Sequence, residues 1–262
     1  LTEMLEDIKS FFWFLLQGPK YYSTLAVLIL TKLRPAKDSE HHINIATIWC
    51  KQNLVSADEC LGNLGIQISS ESSILEPFSD EYKLKISNII DASNSNFGGP
   101  GHTNLIFTIC EKLKITNAIE TGVAYGWSSA AILKSLANRN GSLISIDMPM
   151  LKQTDYDLIG VAVESGLQKC WELRREPDRF GLPRAIKSMG ETIELAHYDS
   201  DKSYYGRKWS QEIIWKNLKI GGIFISDDIE DNTAFLEFVE KYNFDCSVLE
   251  FDGKYVGVIK KY

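Results

Sequence analysis

The sequence predicts an α/β fold: a mostly parallel sheet wound with helices, ending in an antiparallel C-terminal hairpin strand and preceded by a helical extension. Three observations predict it. From about residue 97, short apolar runs alternate with helical stretches, the pattern of a parallel sheet with crossover helices. The first run ends at Glu120 and enters the turn Glu120-Thr121-Gly122-Val123-Ala124-Tyr125-Gly126-Trp127-Ser128-Ser129, where two glycines precede a helix. Near the end, Asp252-Gly253 separates two β-rich runs, a strong hairpin signal.

The elements follow in order. Residues 1–96 show helical apolar spacing without glycine punctuation. Ile45, Ile48, Trp49 and Leu54 fall roughly on one face, as do Leu84, Ile86, Ile89 and Ile90, and Ser69–Ser73 reads as a polar loop. This region is expected to be a helical cap that covers the main domain or joins two copies in a homo-oligomer. Phe11–Leu33 is apolar but interrupted by Gly18-Pro19-Lys20, and its longest uncharged run, Tyr21–Thr31, has 11 residues. A spanning helix needs about 20. Two short helices packed on the body or on a partner subunit are expected, with shallow membrane attachment as the alternative.

Residues 97–262 form the second region. Asn117–Glu120 reads as the first strand and Ser128–Asn138 as the helix after it. Eleven helical residues at about 1.5 Å each run back along a strand of similar length, as a right-handed crossover requires. Asn140-Gly141 turns the chain into a second strand, Ser142–Ile146, which ends at Asp147. Cys170–Leu173 is the expected third strand. Ile193–Tyr198 is the fourth and runs into Asp199. After a helix marked by Ile213, Ile214 and Leu218, Ile223–Ser226 is the fifth and ends at Asp227-Asp228. A helix over Ala234–Tyr242 and the hairpin Cys246–Phe251 with Lys254–Lys260 complete the chain.

Composition narrows the function. The chain has 262 residues and a net charge of −7, and no basic run supplies the footprint that nucleic acid needs. The five cysteines are scattered without a Cys-x-x-Cys pair, which suits free thiols in a reducing, cytoplasmic setting. The four histidines include no His-x-x-x-His pair, so no zinc site is expected.

Ligands of open α/β sheets collect where strands end. Asp147 closes the second strand, where a carboxylate can accept both hydroxyls of a ribose. Asp199 and Asp227 close the fourth and fifth, so one crossover brings them to the same edge. Carboxylates crowded there suggest a bound divalent cation with oxygen ligands, or one raised pKa. Strand-end caps with surface charge are the simpler alternative.

The glycine spacing decides among nucleotide ligands. A dinucleotide fingerprint has Gly-x-Gly-x-x-Gly, whereas here Glu120 stands two before Gly122 and Gly126 follows four later. That pattern resembles motif I of the class I S-adenosylmethionine (SAM) methyltransferases, whose Rossmann-like sheet also ends in an antiparallel hairpin strand. Asp199-x-x-Lys202 followed by Tyr205 looks like the metal-and-base segment of the caffeoyl-CoA and catechol-type O-methyltransferases. Asp227-Asp228, after Gly221-Gly222 and a strand, corresponds to their Asp-Asn pair. Macrocin-type sugar O-methyltransferases and the cephalosporin-hydroxylase-like group share the frame. The resemblance covers about residues 97–262. Two positions depart from it: Asp228 replaces the usual Asn, and many relatives carry His where Lys202 stands.

The resemblance implies SAM held by Glu120, Gly122, Val123, Gly126, Ser128, Asp147 and Asp178, and Mg²⁺ or a similar cation at Asp199, Asp227 and Asp228. It implies Lys202 as general base, its pKa depressed, with Asp199 or Lys202 acting alone if no metal binds; a surface lysine paired with Asp199 or Asp201 is the simpler alternative. The loop Asn96–His102 would close over SAM. His102 is a candidate to reach the site, and a solvated loop histidine is the simpler alternative. The implied reaction is methyl transfer to a hydroxyl of a small molecule, such as a sugar or a phenolic compound. A non-methylating relative, hydroxylase-like or binding-only, and an NAD-binding oxidoreductase are the alternatives, and the glycine spacing speaks against the last.

Overall fold

A computed structural model describes residues 9, 12–32, 34–67, 74–93, 95–149 and 156–262. The polar segment Ser69–Ser73 lies outside the described residues. Seven strands form one sheet: β1 (Asn117–Thr121), β2 (Ser142–Ile146), β3 (Trp171–Arg174), β4 (Leu195–Tyr198), β5 (Ile223–Ser226), β6 (Cys246–Phe251) and β7 (Lys254–Lys260). Their order is β3-β2-β1-β4-β5-β7-β6. The first five pair in parallel, and β7 runs antiparallel to both β5 and β6. The fold is the one the sequence predicts. Strand starts differ in two places: Cys170 ends a 3-10 turn rather than opening β3, and β4 opens at Leu195 rather than Ile193.

Both faces of the sheet are covered, so its central strands are buried along nearly their whole length. The helices are α1 (Tyr22–Lys32), α2 (Glu40–Gln52), α3 (Ala57–Asn63), α4 (Asp80–Asp91), α5 (Thr103–Lys112), α6 (Trp127–Ala137), α7 (Asp178–Met189), α8 (Tyr204–Asn217) and α9 (Ala234–Tyr242). One core lies beneath α5 and α6, and Cys60, Leu61 and Ile86 from α3 and α4 enter it. The small residues Ala130 and Ala131 are fully buried there. The other core gathers Leu182, Ile214, Phe235 and Phe238 with Cys50 of α2. Ser56, Ser79 and Ser203 cap α3, α4 and α8 by accepting backbone N–H groups, which satisfies one orphan donor at each start.

Helices α2, α3 and α4 are thus built into the same cores as the sheet. Leu54 bridges to Val248, and Val55 donates its N–H to the Val248 carbonyl at 2.9 Å. The expected apolar faces are corrected. Cys50 and Ala46 are the buried residues of α2, whereas Ile45 and Ile48 are exposed. In α4, Ile86 is buried while Leu84 and Ile89 face out. The core here is narrow, and a small side chain fits under the helix where an isoleucine would not. All five cysteines are free.

Candidate active site

The strand register sets up the site one layer below its surface. Glu120 of β1 pairs with Ser145 of β2 and with His197 of β4, so three polar side chains form a row across neighbouring buried strands. Glu120 is fully buried. One carboxylate oxygen accepts from Ser128 Oγ at 2.6 Å and lies 3.3 Å from His197 Nδ1. The other accepts from Ser145 Oγ at 2.8 Å and from Ser129. With both oxygens occupied, Glu120 does not line the cavity, and Ser128 points its hydroxyl inward to it. This corrects the expectation that Glu120 touches the cofactor. Its carboxylate ties the start of α6 to the sheet.

The loop above this row is made possible by two glycines. Gly122 has φ +81°, and a Cβ there would meet the Asp199 carbonyl oxygen at 2.1 Å. Gly126 has φ +82°, and a Cβ there would meet Gly160 Cα at 2.7 Å. Only glycine tolerates both the left-handed backbone and the close approach. The turn therefore lies flat against the ends of β1 and β4, and α6 starts at the cavity wall. Val123 donates its N–H to Asp147 Oδ1 at 2.9 Å, and Arg175 Nη1 pairs with Asp147 Oδ2 at 3.0 Å. Burial raises the Asp147 pKa, and the Val123 N–H and Arg175 oppose it. Gly122, Val123, Gly126, Ser128, Asp147 and Asp178 all line one cavity of about 1060 Å³.

Asp178 opens α7 and takes a hydrogen bond from Ser200 Oγ. Burial, with Asp201 and Asp147 nearby, pushes its pKa up to about 7 against that bond. Asn96–His102 forms part of the cavity rim, anchored where Tyr125 donates to the Ser95 carbonyl at 2.7 Å. His102 does reach the site. Its ring packs 4.8 Å from that of Phe251, its Nε2 is buried without a hydrogen-bond partner, and burial holds its pKa down.

Asp199, Lys202, Asp227 and Asp228 line the same cavity. Lys202 Nζ pairs with Asp199 and, at 2.7 Å, with Asp228 Oδ2. Asp227 Oδ2 instead faces His197 Nε2 at 3.4 Å. Arg207, fully buried, donates to Ser226 Oγ and to the Asp227 and Asp228 carbonyls at 2.8–3.0 Å, fixing the end of β5 from beneath. Among the described residues no three His, Cys, Asp or Glu side chains converge as a metal-holding group. The three carboxylates expected to hold a cation are answered by an ammonium and an imidazole of the protein itself. As placed, the donor set does not fit a divalent ion, because Lys202 stands between two of its ligands.

The pKa directions also change the expected roles. Burial pulls Lys202 down, but Asp199 and Asp228 outweigh it and raise its pKa. It is held as an ammonium, which corrects the expectation of a depressed, basic lysine. Burial and the neighbouring Asp227 push Asp199 up to about 6 against the pull of Lys202, so it is the carboxylate poised to exchange a proton near neutral pH. His197, unnoticed in the sequence, is drawn down by burial yet held up at about 10 by Asp227 and Glu120. The signal was there: a histidine directly after Leu195 and Ala196, two before Asp199.

Residues 119–229 match the family model described as a methyltransferase domain. The fold is a class I methyltransferase fold. Solved structures with this fold include a methyltransferase from Geobacter sulfurreducens (TM-score 0.54, 12% identity, covering 80% of this chain and 98% of that one). An O-methyltransferase from Bacillus cereus in complex with SAH has TM-score 0.52 at 13% identity, covering 81% of this chain and 100% of that one. The O-methyltransferase of tomaymycin synthesis from Streptomyces achromogenes, solved with SAM, has TM-score 0.50 at 11% identity, covering 72% and 92%. No curated protein matches the sequence. In a methyltransferase fold the glycine turn after β1 and the acid after β2 stand at the strand ends where open α/β sheets bind ligands, and here both face the cavity.

Proposed function

We propose that this chain transfers a methyl group from SAM to a hydroxyl of a small molecule. One observation carries the reading: a single cavity joins the Gly122–Ser128 turn and Asp147 to Asp199, Lys202 and Asp228. The methyltransferase family match over residues 119–229 supports it, as do the SAM- and SAH-bound structures of the same fold. A donor occupies one side of the cavity and an acceptor the other. The cavity size suits both, since ligand pockets run to about 1000 Å³.

SAM supplies an electrophilic methyl carbon on a sulfonium. The acceptor oxygen attacks that carbon, the carbon–sulfur bond breaks with its electron pair going to sulfur, and the hydroxyl proton passes to Asp199. Asp147 accepts the ribose hydroxyls while Val123 and Arg175 hold its orientation. Asp178, which also lines the cavity, is assigned to the adenine end in this reading. The Lys202 ammonium stabilises negative charge developing on the acceptor oxygen. Positioning in the cavity supplies much of the remaining rate. A divalent cation at Asp199, Asp227 and Asp228 would first have to displace Lys202, so no step is assigned to it. The five free thiols favour a reducing, cytoplasmic setting.

The test is calorimetric titration with SAM, SAH and NAD, followed by a screen of hydroxylated acceptors with methyl-labelled SAM. SAM and SAH should bind and NAD should not. No heat with SAM sinks the proposal. SAM binding without transfer to any hydroxyl favours a binding-only relative.

A further inference from the structure

The N-terminal helices supply one wall of the cavity, although they stand outside the matched segment 119–229. Residues 12–16 are helical, and a 3-10 turn at Pro19–Tyr21 leads into α1. No helix among the described residues is long and apolar enough to cross a membrane. At 11 residues, α1 is about 16 Å long. Three strand spacings of about 4.8 Å cover nearly the same distance, the separation of β2 from β5 in the strand order.

Two sets of contacts lay this segment across the strand ends. At its start, Phe14, Tyr21 and Leu25 form a buried cluster with Met148 packed against it, and Met148 follows Asp147 at the end of β2. Lys20 Nζ reaches the carbonyl of Arg175 at 3.4 Å, and the guanidinium of Arg175 pairs with Asp147. Beyond the end of α1, Tyr205 donates to the Pro35 carbonyl at 3.1 Å. Asp38 Oδ1 accepts from the Tyr204 N–H at 2.6 Å and from Asn232 Nδ2 at 3.1 Å. Asn232 also donates to the Lys202 carbonyl at 2.8 Å. The first set lies at the ribose acid of the proposed donor side. The second lies at the residues of the proposed acceptor side.

Thr24 shows what this wall is for. It lines the cavity beside Leu25 and Val27, and its Oγ1 is buried without a hydrogen-bond partner. A helical threonine can return its hydroxyl to the carbonyl four residues back, and this one does not. A buried hydroxyl left unpaired costs stability, and a ligand in the cavity would relieve that cost. The next residue, Leu25, belongs to the cluster on Met148, which puts Thr24 at the donor end of the wall.

We infer that Thr24 is a donor-binding residue. Its hydroxyl hydrogen-bonds a polar group of bound SAM, and Phe14, Leu25 and Val27 shield that ligand from water. The inference rests on the SAM reading above. It makes donor affinity depend on a part of the chain that the methyltransferase match does not include.

The test is calorimetric titration of the full chain with SAH, which keeps the donor's adenosine and amino-acid groups but has no methyl to transfer. Thr24→Val keeps the branched shape and removes the hydroxyl. It should weaken SAH binding about three- to tenfold, the loss of one hydrogen bond. The melting temperature of the ligand-free variant should hold or rise, because an unpaired polar atom leaves the interior. Thr24→Ser should keep most of the affinity. In the wild type, SAH should slow trypsin cleavage after Lys20 and Lys32 severalfold, and Thr24→Val should lose part of that protection at the same SAH concentration. Equal SAH affinity in the wild type and Thr24→Val overturns the inference and leaves methyl transfer standing. If that equality comes with a raised acceptor KM, Thr24 serves the acceptor instead. An equal loss in Thr24→Ser, with a lower ligand-free melting temperature, makes the role structural and overturns the inference as well. A wild type that binds neither SAM nor SAH removes the methyl-transfer reading, and this inference with it.

Discussion

His197 Nε2 lies 3.4 Å from Asp227 Oδ2 inside the sheet, where the imidazole is 1% exposed. Its other nitrogen faces Glu120, so one buried cation is shared by two carboxylates. This pairing links the row beneath the methyltransferase turn to the acid at the end of β5. Such a pair is costly to break from one side, because the charge left behind stays buried.

The first prediction follows from that pair. The folded pKa of His197, about 10, lies above its unfolded value of about 6.5. Its contribution to stability is therefore complete below about pH 6.5 and is lost as pH rises through about 10. Urea unfolding of the wild type and of His197→Gln should show a difference that shrinks across this window. At neutral pH the loss should be on the order of 3–5 kcal/mol. A pH-independent difference would mean that the imidazole is neutral.

In the proposed reaction Asp199 takes the proton and Lys202 stays an ammonium. Asp199→Asn should lower kcat by about 10²–10⁴, with SAM affinity kept. The wild-type rate should rise through pH ~6 as Asp199 ionises and then level off. Lys202→Arg should retain part of the rate, since the charge remains, while Lys202→Met should lose about 10²-fold or more. A second ionisation between pH ~7 and ~8 that vanishes in Lys202→Arg would restore the base role to the lysine.

Metal is the third case. With Lys202 between Asp199 and Asp228, transfer should continue in excess chelator, and added Mg²⁺ should change the rate less than about twofold. Loss of activity in chelator, recovered by Mg²⁺, would show that Lys202 moves aside and that the three carboxylates reorganise around an ion.

Asp147→Ala removes the acceptor for the Val123 N–H as well as the expected ribose partner. SAM affinity measured by calorimetry should fall about 10–100-fold, the loss of one or two charge-assisted hydrogen bonds. Unchanged affinity would put the ribose elsewhere.

Gly122→Ala should be costly without touching any side chain. The new methyl group would stand 2.1 Å from the Asp199 carbonyl oxygen on a left-handed backbone. A loss of about 2–4 kcal/mol in unfolding experiments is expected. A variant as stable as the wild type would mean that the turn does not lie against β4.

Much of the fold could be read in advance because it depends on local signals. Asn140-Gly141 and Asp252-Gly253 mark turns, and the apolar runs ending at Asp147, Asp199 and Asp227 mark strands. The site was only half legible. Glu120 was picked out by its place before the glycines, but its burial follows from Ser145 and His197 lying beside it, and that register joins residues 25 and 77 apart. Lys202 shows the same limit. Its neighbour Asp199 is local, whereas Asp228, which completes the ion pair and reverses the expected pKa direction, comes from the next strand end. The faces of α2 and α4 were misjudged because spacing reveals a stripe but not the room beneath it.

The bridge between Leu54 and Val248 also bears on how the chain comes together. Residues 40–66 precede every strand of the sheet, whereas their partners on β6 follow all five parallel strands. Docking must wait until those strands have been made, and contacts of such long range slow folding. Until then the edge of β6 is open, and an open strand edge invites pairing with other chains. The early segment acts as a latch that can close only after β6 is made, and its fastening covers part of that open edge.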